Sequence, residues 1–342
     1  MAEHNIVVFA GDHAGPEVIA EAVKVLKAIE QHSPSAGKFN LKDHLLGGCS
    51  IDATGTPLTD EALAAANAAD AVLLGAIGGP KWGTGAVRPE QGLLRLRKEM
   101  GTYGNLRPCF FASDALVDSS PLKADVCRGT DFVIVRELTG GIYFGERKED
   151  DDGSGRAWDT EPYSRGEVER VARLAGFLAR GRGEKRVWSL DKANVLATSR
   201  LWRKVMTETF AREFPDLTVE HQLIDSAAMI MVKNPRGLNG VVVTSNFMKR
   251  MGENEKTDGD GAISGSAPDI SGKGIVNPIG TILSVAMMLR YSLNLPNEAK
   301  AVEEAVKRAI DGGLRTKDMG GSSGTKEAGD AIVEELVKVL KA

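Results

Sequence analysis

Three arginines stand out as groups able to hold a substrate: Arg97, Arg107 in Asn105-Leu106-Arg107-Pro108, and Arg136 in Val135-Arg136-Glu137. A guanidinium is a planar fork that grips a carboxylate through two hydrogen bonds, so three converging from different elements would hold a dicarboxylate. Each taken singly reads as a surface residue, and spacing does not say whether the fold brings them together. Tyr143, in Gly140-Gly141-Ile142-Tyr143-Phe144-Gly145, and Lys192, in Ser189-Leu190-Asp191-Lys192-Ala193-Asn194, are candidates for proton transfer. Lys192 directly follows an apolar strand, the end at which open α/β sheets place ligands, and desolvation there would lower its pKa into a range useful for acid/base work. The plainer readings are a hydrogen-bonded tyrosine and a solvent-facing lysine. Gly11-Asp12-His13-Ala14-Gly15-Pro16-Glu17 is a tight turn feeding a helix N-terminus, suited to binding an anion or simply to capping the helix.

These residues need a scaffold, and the hydrophobic pattern supplies one. Ile6 to Ala10 reads as a strand, followed by a helix from Pro16 with Val18, Ala22, Val25 and Ile29 at three-to-four spacing. Further strands are expected at Ala71 to Gly75, Phe132 to Val135, Val187 to Leu190, Val219 to Ile224 and Val241 to Thr244, and helices at Val168 to Ala179 and Ser199 to Phe214. Strands alternating with helices predict an α/β fold with a largely parallel sheet. Three helices follow at Pro278 to Leu293, Asn297 to Ile310 and Lys326 to Leu340, the last with Thr325 as its expected cap. Ile279 to Leu289 is apolar but shorter than the roughly 20 residues a membrane span needs, and reads as a buried helix. Glu149 to Gly155, rich in aspartate, reads as a solvated hairpin tip without the spacing of a calcium loop.

A chain of 342 residues suggests about two domains. With 43 Lys+Arg against 47 Asp+Glu there is no excess of cations to neutralise a phosphate backbone, so a nucleic-acid partner is not expected. Cys49, Cys109 and Cys127 form no CxxC pair and cannot all be bridged, which points to reduced thiols. Met1-Ala2-Glu3-His4 runs straight into a strand without a leader pattern, so the expected setting is cytosolic, with no membrane partner. No Gly-x-Gly-x-x-Gly follows the first strand and no P-loop pattern occurs, which leaves the ordinary nucleotide folds unsupported.

Taken together, these segments resemble the metal-dependent β-decarboxylating dehydrogenase family, which contains isocitrate, isopropylmalate and tartrate dehydrogenases. The resemblance is carried by Gly11 to Val18, Leu73-Leu74-Gly75-Ala76-Ile77-Gly78-Gly79-Pro80-Lys81-Trp82, Arg88-Pro89-Glu90-Gln91-Gly92-Leu93-Leu94, Arg136 to Gly145 and Gly265-Ser266-Ala267-Pro268-Asp269-Ile270. These are five motifs in family order along nearly the whole chain. Trp158-Asp159, Trp188 to Lys192 and Ser199 to Arg203 are most similar to the fungal, leucine-biosynthetic branch. The resemblance implies a two-domain isocitrate/isopropylmalate dehydrogenase-like fold, not a GxGxxG Rossmann fold. It places a first, cofactor-side domain at 1–105 plus 252–342 and a second, substrate and dimerisation domain at 106–251. It also implies NAD-dependent oxidative decarboxylation of (2R,3S)-3-isopropylmalate, with Mg²⁺ or Mn²⁺, by a homodimer.

Residue by residue, Arg97, Arg107 and Arg136 match the family's malate-carboxylate binders, and Glu90, Leu93 and Leu94 match the lining for the isopropyl group. Two adjacent leucines suit a branched alkyl substituent, where isocitrate would need a polar partner for its extra carboxylate. Tyr143 and Lys192 match the acid/base pair, with Lys192 reaching into the neighbouring subunit's site. Asp269 and Ile270 match the adenosine-ribose site of NAD-using members, where a carboxylate accepts from a 2′-hydroxyl and repels a 2′-phosphate. Gly265 and Ser266 belong to the same cofactor segment, Asn277 matches an adenine contact, and Asp225 matches a metal carboxylate.

One stretch departs from the family pattern. After Val241-Val242-Val243-Thr244-Ser245-Asn246 the family continues into a helix with two further metal aspartates, then a longer segment ending in glutamate, proline and histidine. Here residues 247–264 form a shorter, polar, glycine-containing replacement that reads as a loop, with Ser264 where the histidine would be. Glu253, Glu255, Asp258 and Asp260 read as a solvated acidic loop rather than as metal ligands. Two alternatives follow: a homologue that binds partner subunits or cofactor without turnover, and a product of an incorrect gene model. The intact Arg97, Arg107, Arg136, Tyr143 and Lys192 argue against the first.

Overall fold

The computed structural model describes residues 2–83, 85–150, 153–246 and 265–342; Asp151, Asp152 and the departing stretch 247–264, with Glu253, Glu255, Asp258, Asp260 and Ser264, lie outside the described residues. In chain order the elements begin with β1 (Glu3–Gly11), α1 (Gly15–His32), β2 (Lys38–Asp43), α2 (Gly48–Thr54), α3 (Asp60–Ala68), β3 (Ala71–Ala76) and α4 (Pro89–Glu99). There follow β4 (Gly104–Phe110), α5 (Ala124–Cys127), β5 (Asp131–Glu137), β6 (Arg147–Lys148), β7 (Trp158–Asp159), α6 (Arg165–Arg182), β8 (Arg186–Asp191), α7 (Ala197–Glu213), β9 (Thr218–Leu223), α8 (Ile224–Lys233) and β10 (Gly240–Thr244). The chain ends in α9 (Ile279–Tyr291), α10 (Pro296–Asp311) and α11 (Thr325–Lys341). Two compact units result, the first from the described parts of Met1–Met100, Ala112–Ser119 and Glu255–Ala342, the second from those of Gly101–Phe111 and Ser120–Asn254. Gly104 and Asn105 go with the second unit because β4 pairs with β5 along its whole length.

The sheet of the first unit is parallel, in the order β2-β1-β3, with Ile6 opposite Ala71 and Val8 opposite Leu73. Side chains alternate across a strand, so Ile6 and Val8 go to one face and Val7 and Phe9 to the other. The first face packs with Val25 and Ile29 of α1, Ile282 of α9, Val302 of α10 and Ile332 of α11; the second packs with Leu58, Leu63, Leu93 and Leu96. Burial on both faces explains why β1 is an unbroken apolar run. α11 starts at Thr325 itself, with Gly324 in the cap position donating its N–H to Glu327 at 2.9 Å, so Thr325 is the first helical residue and not the cap.

The second unit holds a sheet in the order β4-β5-β10-β8-β9, four parallel strands with β4 antiparallel at one edge. Val133, Val135, Val187, Val241 and Val243 meet α6 and α7 through Val168, Val171, Trp202 and Phe210. Phe132, Leu190 and Val242 point the other way, onto Ile224, Ala227 and Leu238. β10, the last strand among the described residues, sits in the middle, and because β5, β10, β8 and β9 run parallel they all bring their C-terminal ends to one edge. β6 and β7 form a separate ribbon that brackets the acidic stretch, where the Gly155 amide donates to Asp150 at 2.9 Å.

Candidate active site

Arg107 and Arg136 come together through strand register. Asn105 lies opposite Arg136 and Arg107 opposite Ile134, so Asn105, Arg107 and Arg136 fall in one row on one face. Arg107 Nε donates to Asn105 Oδ1 at 2.8 Å, and Arg136 Nε donates to Asn246 Oδ1 at 2.9 Å. Arg136 is 2% exposed, and its guanidinium carbon lies 5.6 Å from the ring centre of Tyr143. That ring rides on a short 3-10 turn, Gly141–Tyr143, reached from the end of β5 through Glu137. The fully buried Glu137 carboxylate accepts from the Thr139 amide at 3.1 Å and the Gly140 amide at 2.8 Å, and its charge is met by Arg170 at 3.1 Å. Gly141 has φ +69°, and a Cβ there would stand 2.6 Å from Tyr163 Oη, so the turn admits glycine alone. A buried cation against a phenol ring puts positive charge beside a proton donor, the combination needed to bind a carboxylate and protonate a neighbouring carbon.

Lys192 follows β8 directly, and its backbone is pinned: the amide donates to Ser199 Oγ at 3.1 Å, and the carbonyl accepts from the Val195 and Leu196 amides. The ammonium does not stand bare at an apolar edge, as the sequence suggested. It is ion-paired with Asp225 at 2.8 Å, because β8 and β9 are neighbours with Asp191 opposite Leu223 and both side chains lie just past the paired strand ends. Asp225 occupies the first turn of α8, where the helix N-terminus favours a carboxylate. The hydrogen bond from Lys192, and then those of the backbone, hold its pKa below the usual carboxylate range. β10 stands between β5 and β8, so at one strand spacing per step the Lys192 backbone is about 10 Å across the sheet from that of Arg136. Among the described residues no group of three or more His, Cys, Asp or Glu is placed to hold a metal ion. Asp225, engaged with Lys192, does not make a divalent-cation site by itself.

In the first unit, Glu90, Leu93, Leu94 and Arg97 lie on one face of α4, at i, i+3, i+4 and i+7. Leu93 is buried among Phe9, Leu46 and Leu58, so it serves the core, and Leu94 is the leucine that keeps part of its surface open. Arg97 is buried in the last turn of α4, where the helix dipole favours a cation. Glu90 Oε1 abuts Gly78 in the loop after β3. That loop is held by Asp12, whose buried carboxylate accepts from the amides of Gly48, Cys49 and Gly78, each at 2.8 Å. The turn after β1 therefore ties loops together with a resident carboxylate.

The segment from Gly265 to Asn277, expected from the resemblance to meet the cofactor, packs on the same turn. Ala14 donates its N–H to the Ser266 carbonyl at 3.0 Å, Ala267 and Ile270 pack against Ala14, Val18 and Val276, and the Glu17 carboxylate accepts from the amides of Gly272 and Gly274. Gly265 leads into this segment and Asp269 is exposed within it, a carboxylate suited to accept from ribose hydroxyls. Asn277 commits its amide to the local fold, donating to Asp318 at 3.0 Å and accepting from the Ile279 amide at 3.0 Å.

A family model described as isocitrate/isopropylmalate dehydrogenase matches residues 5–249 and 252–332. The chain belongs to this family. It is 68% identical to 3-isopropylmalate dehydrogenase from Sordaria macrospora and 68% identical to that from Neurospora crassa, each across the whole of both chains. The crystal structure of isocitrate dehydrogenase from Methylococcus capsulatus is similar with a TM-score of 0.83 and 30% identity, covering 97% of this chain and 99% of that one. The α/β, isocitrate/isopropylmalate dehydrogenase-like fold expected from the motifs is thus the fold observed. The alignment with the Sordaria protein extends over 369 positions, more than the 342 residues of this chain, and the family match breaks between 249 and 252. That break falls inside the stretch where the sequence departs. Asn105, a polar residue within β4, and Asn246, a polar residue just past β10, were not singled out by the sequence and carry no further mark in it.

Proposed function

We propose that this chain catalyses the NAD-dependent oxidative decarboxylation of (2R,3S)-3-isopropylmalate in leucine biosynthesis, with Mg²⁺ or Mn²⁺, as a cytosolic homodimer. The observation that carries the reading is the row of Arg107 and Arg136 with Tyr143 against Arg136, in a chain similar from end to end to enzymes named for that substrate. Arg97, Arg107 and Arg136 bind the substrate carboxylates, and Leu94, with Glu90 and the edge of Leu93, receives the isopropyl group. A base, acting directly or through Lys192, takes the C2 hydroxyl proton, and Tyr143 returns a proton to the carbon from which CO₂ has left. NAD, when bound, supplies the hydride acceptor. Asp269 accepts from the adenosine ribose and disfavours a 2′-phosphate, while Ile270, Gly265, Ser266 and Asn277 complete the cofactor segment.

The divalent cation is supported by family membership, and Asp225 would supply one of its carboxylates. Two features support the homodimer. Lys192 turns toward β9, away from Arg136, and the α8 face bearing Asp225 also exposes Met229 at 59% and Val232 at 64%, an apolar stripe suited to a second copy. Cys49, Cys109 and Cys127 are all thiols, which fits a reducing compartment. A partner subunit without turnover is not favoured, because the similarity to enzymes runs the full length of the chain. The purified chain is expected to reduce NAD with 3-isopropylmalate at millimolar Mg²⁺ or Mn²⁺, and to do so poorly with NADP or isocitrate. Folded protein that turns over with neither metal would overturn the reading.

A further inference from the structure

We infer that Asn246 is a positioning residue for this reaction, one that sets the Arg136 guanidinium and the Tyr143 turn against each other. Asn246 stands two residues past β10, whose Thr244 lies opposite Arg136 of β5, so it continues the row of Arg136 beyond the strand end. It is buried and commits both ends of its side chain: Oδ1 accepts from Arg136 Nε at 2.9 Å, and Nδ2 donates to the Gly140 carbonyl at 2.8 Å. Its backbone N–H donates to Tyr163 Oη at 2.8 Å, and Tyr163 in turn donates to Glu137, the carboxylate that holds the Gly140 amide. Burial, and after it the charge of Glu137, pushes the Tyr163 phenol well above its ordinary pKa, so it stays a donor. Asn246, Gly140, Glu137 and Tyr163 thus form a closed circuit of hydrogen bonds that includes the residue preceding the Tyr143 turn, and Arg136 is joined to it through Asn246.

The chemistry of the amide explains why an asparagine suits this place. It offers an acceptor and a donor in fixed opposition, one for the guanidinium and one for the carbonyl. A carboxylate would set a second oxygen against the Gly140 carbonyl, and its charge would offset the positive charge with which Arg136 attracts a substrate carboxylate. A neutral acceptor fixes the plane of the guanidinium, on which bidentate binding depends, and leaves its charge uncompensated by Asn246.

This inference rests on the reading that Arg136 binds the substrate. Its test compares the wild-type chain with Asn246→Ala, Asn246→Asp, Arg136→Lys and the Asn246→Ala/Arg136→Lys pair, measuring kcat and the KM values for 3-isopropylmalate and NAD. Asn246→Ala is expected to raise the KM for 3-isopropylmalate about tenfold while the KM for NAD stays within about twofold. In the Arg136→Lys background, which lacks the Nε–H, the same change is expected to add less than about threefold, the signature of two residues acting as one unit. Asn246→Asp is expected to raise the KM for 3-isopropylmalate at least as far as Asn246→Ala, and it carries the test if the alanine variant does not fold. An unmoved KM for 3-isopropylmalate, a loss confined to kcat and thermal stability, or multiplicative effects in the cycle would each overturn the inference and leave the proposed function standing. A wild-type chain without turnover would overturn both.

Discussion

Glu17 illustrates how much of this molecule is organised by single carboxylates facing backbone amides. Asp12 gathers the amides of Gly48, Cys49 and Gly78, Glu137 gathers those of Thr139 and Gly140, and Glu17 gathers those of Gly272 and Gly274. In each case a loop that would otherwise be loosely held is tied to the end of an element. The Glu17 tie governs the turn that carries Asp269 and Ile270, so under the proposed function its effect is expected on the cofactor and not on the substrate. Glu17→Gln removes one acceptor and the charge that strengthens both bonds, and the KM for NAD should rise about tenfold, with kcat and the KM for 3-isopropylmalate little changed. Steady-state kinetics with each substrate varied in turn checks this; equal rises in both KM values would show a general loosening. Of these residues, the arginines, Tyr143 and Lys192 were legible in the sequence because their types announce their chemistry. Asn246 was not, since an amide after Val241-Val242-Val243-Thr244 looks like any turn residue until register places it beside Arg136.

At the scale of elements, the strands that stood out most in the sequence were those buried on both faces, such as β1, β5, β8 and β10, whose apolar runs differ from their surroundings, although the edge strand β9 was legible too. β4 was not legible: Gly104–Phe110 alternates polar residues and contains Pro108, which suits an edge strand, and it is antiparallel where the alternating pattern pointed to parallel pairing. The connection before α6 holds a further element-level device. Glu161 accepts from Ser245 Oγ, just past β10, at 3.3 Å and from Thr198 Oγ1, early in α7, at 3.4 Å. Burial raises its pKa above the ordinary 4.5 despite these two donors. Below pH 4.5 the carboxyl is neutral in folded and unfolded chains alike; as pH rises, the unfolded chain loses its proton first, so the folded state binds more protons and loses stability through the raised pKa. Glu161→Gln, which keeps the acceptor oxygen, is therefore expected to melt higher than wild type at neutral pH, with the difference shrinking as pH falls toward 4.5. Melting curves of both proteins across that range test the sign; a glutamine variant that is less stable at neutral pH would show that the ionised carboxylate is favoured in the fold.

At the scale of the whole molecule, the proposed chemistry is divided: Glu90, Leu94, Arg97 and the segment from Gly265 to Asn277 belong to the first unit, and Arg107, Arg136, Tyr143, Lys192 and Asp225 to the second. Within the second unit the sheet order divides it again. Arg107, Arg136 and Tyr143 stand at the β4-β5 side, whereas Lys192 is drawn by Asp225 toward β9, the opposite edge. An ammonium that pairs away from the substrate arginines of its own chain is suited to serve those of a second copy, and the exposed Met229 and Val232 beside Asp225 on α8 give that copy an apolar surface to meet. The consequence is a complementation experiment with two inactive chains, Lys192→Met and Tyr143→Phe. Once their subunits exchange, each heterodimer holds one site with Tyr143 from the first chain and Lys192 from the second, and one site with neither. Random reassortment of equal amounts should then restore about a quarter of wild-type turnover. Native mass spectrometry establishes that exchange has taken place; heterodimers that form and yet reduce no NAD would place Lys192 in the site of its own chain and remove the shared-site reading.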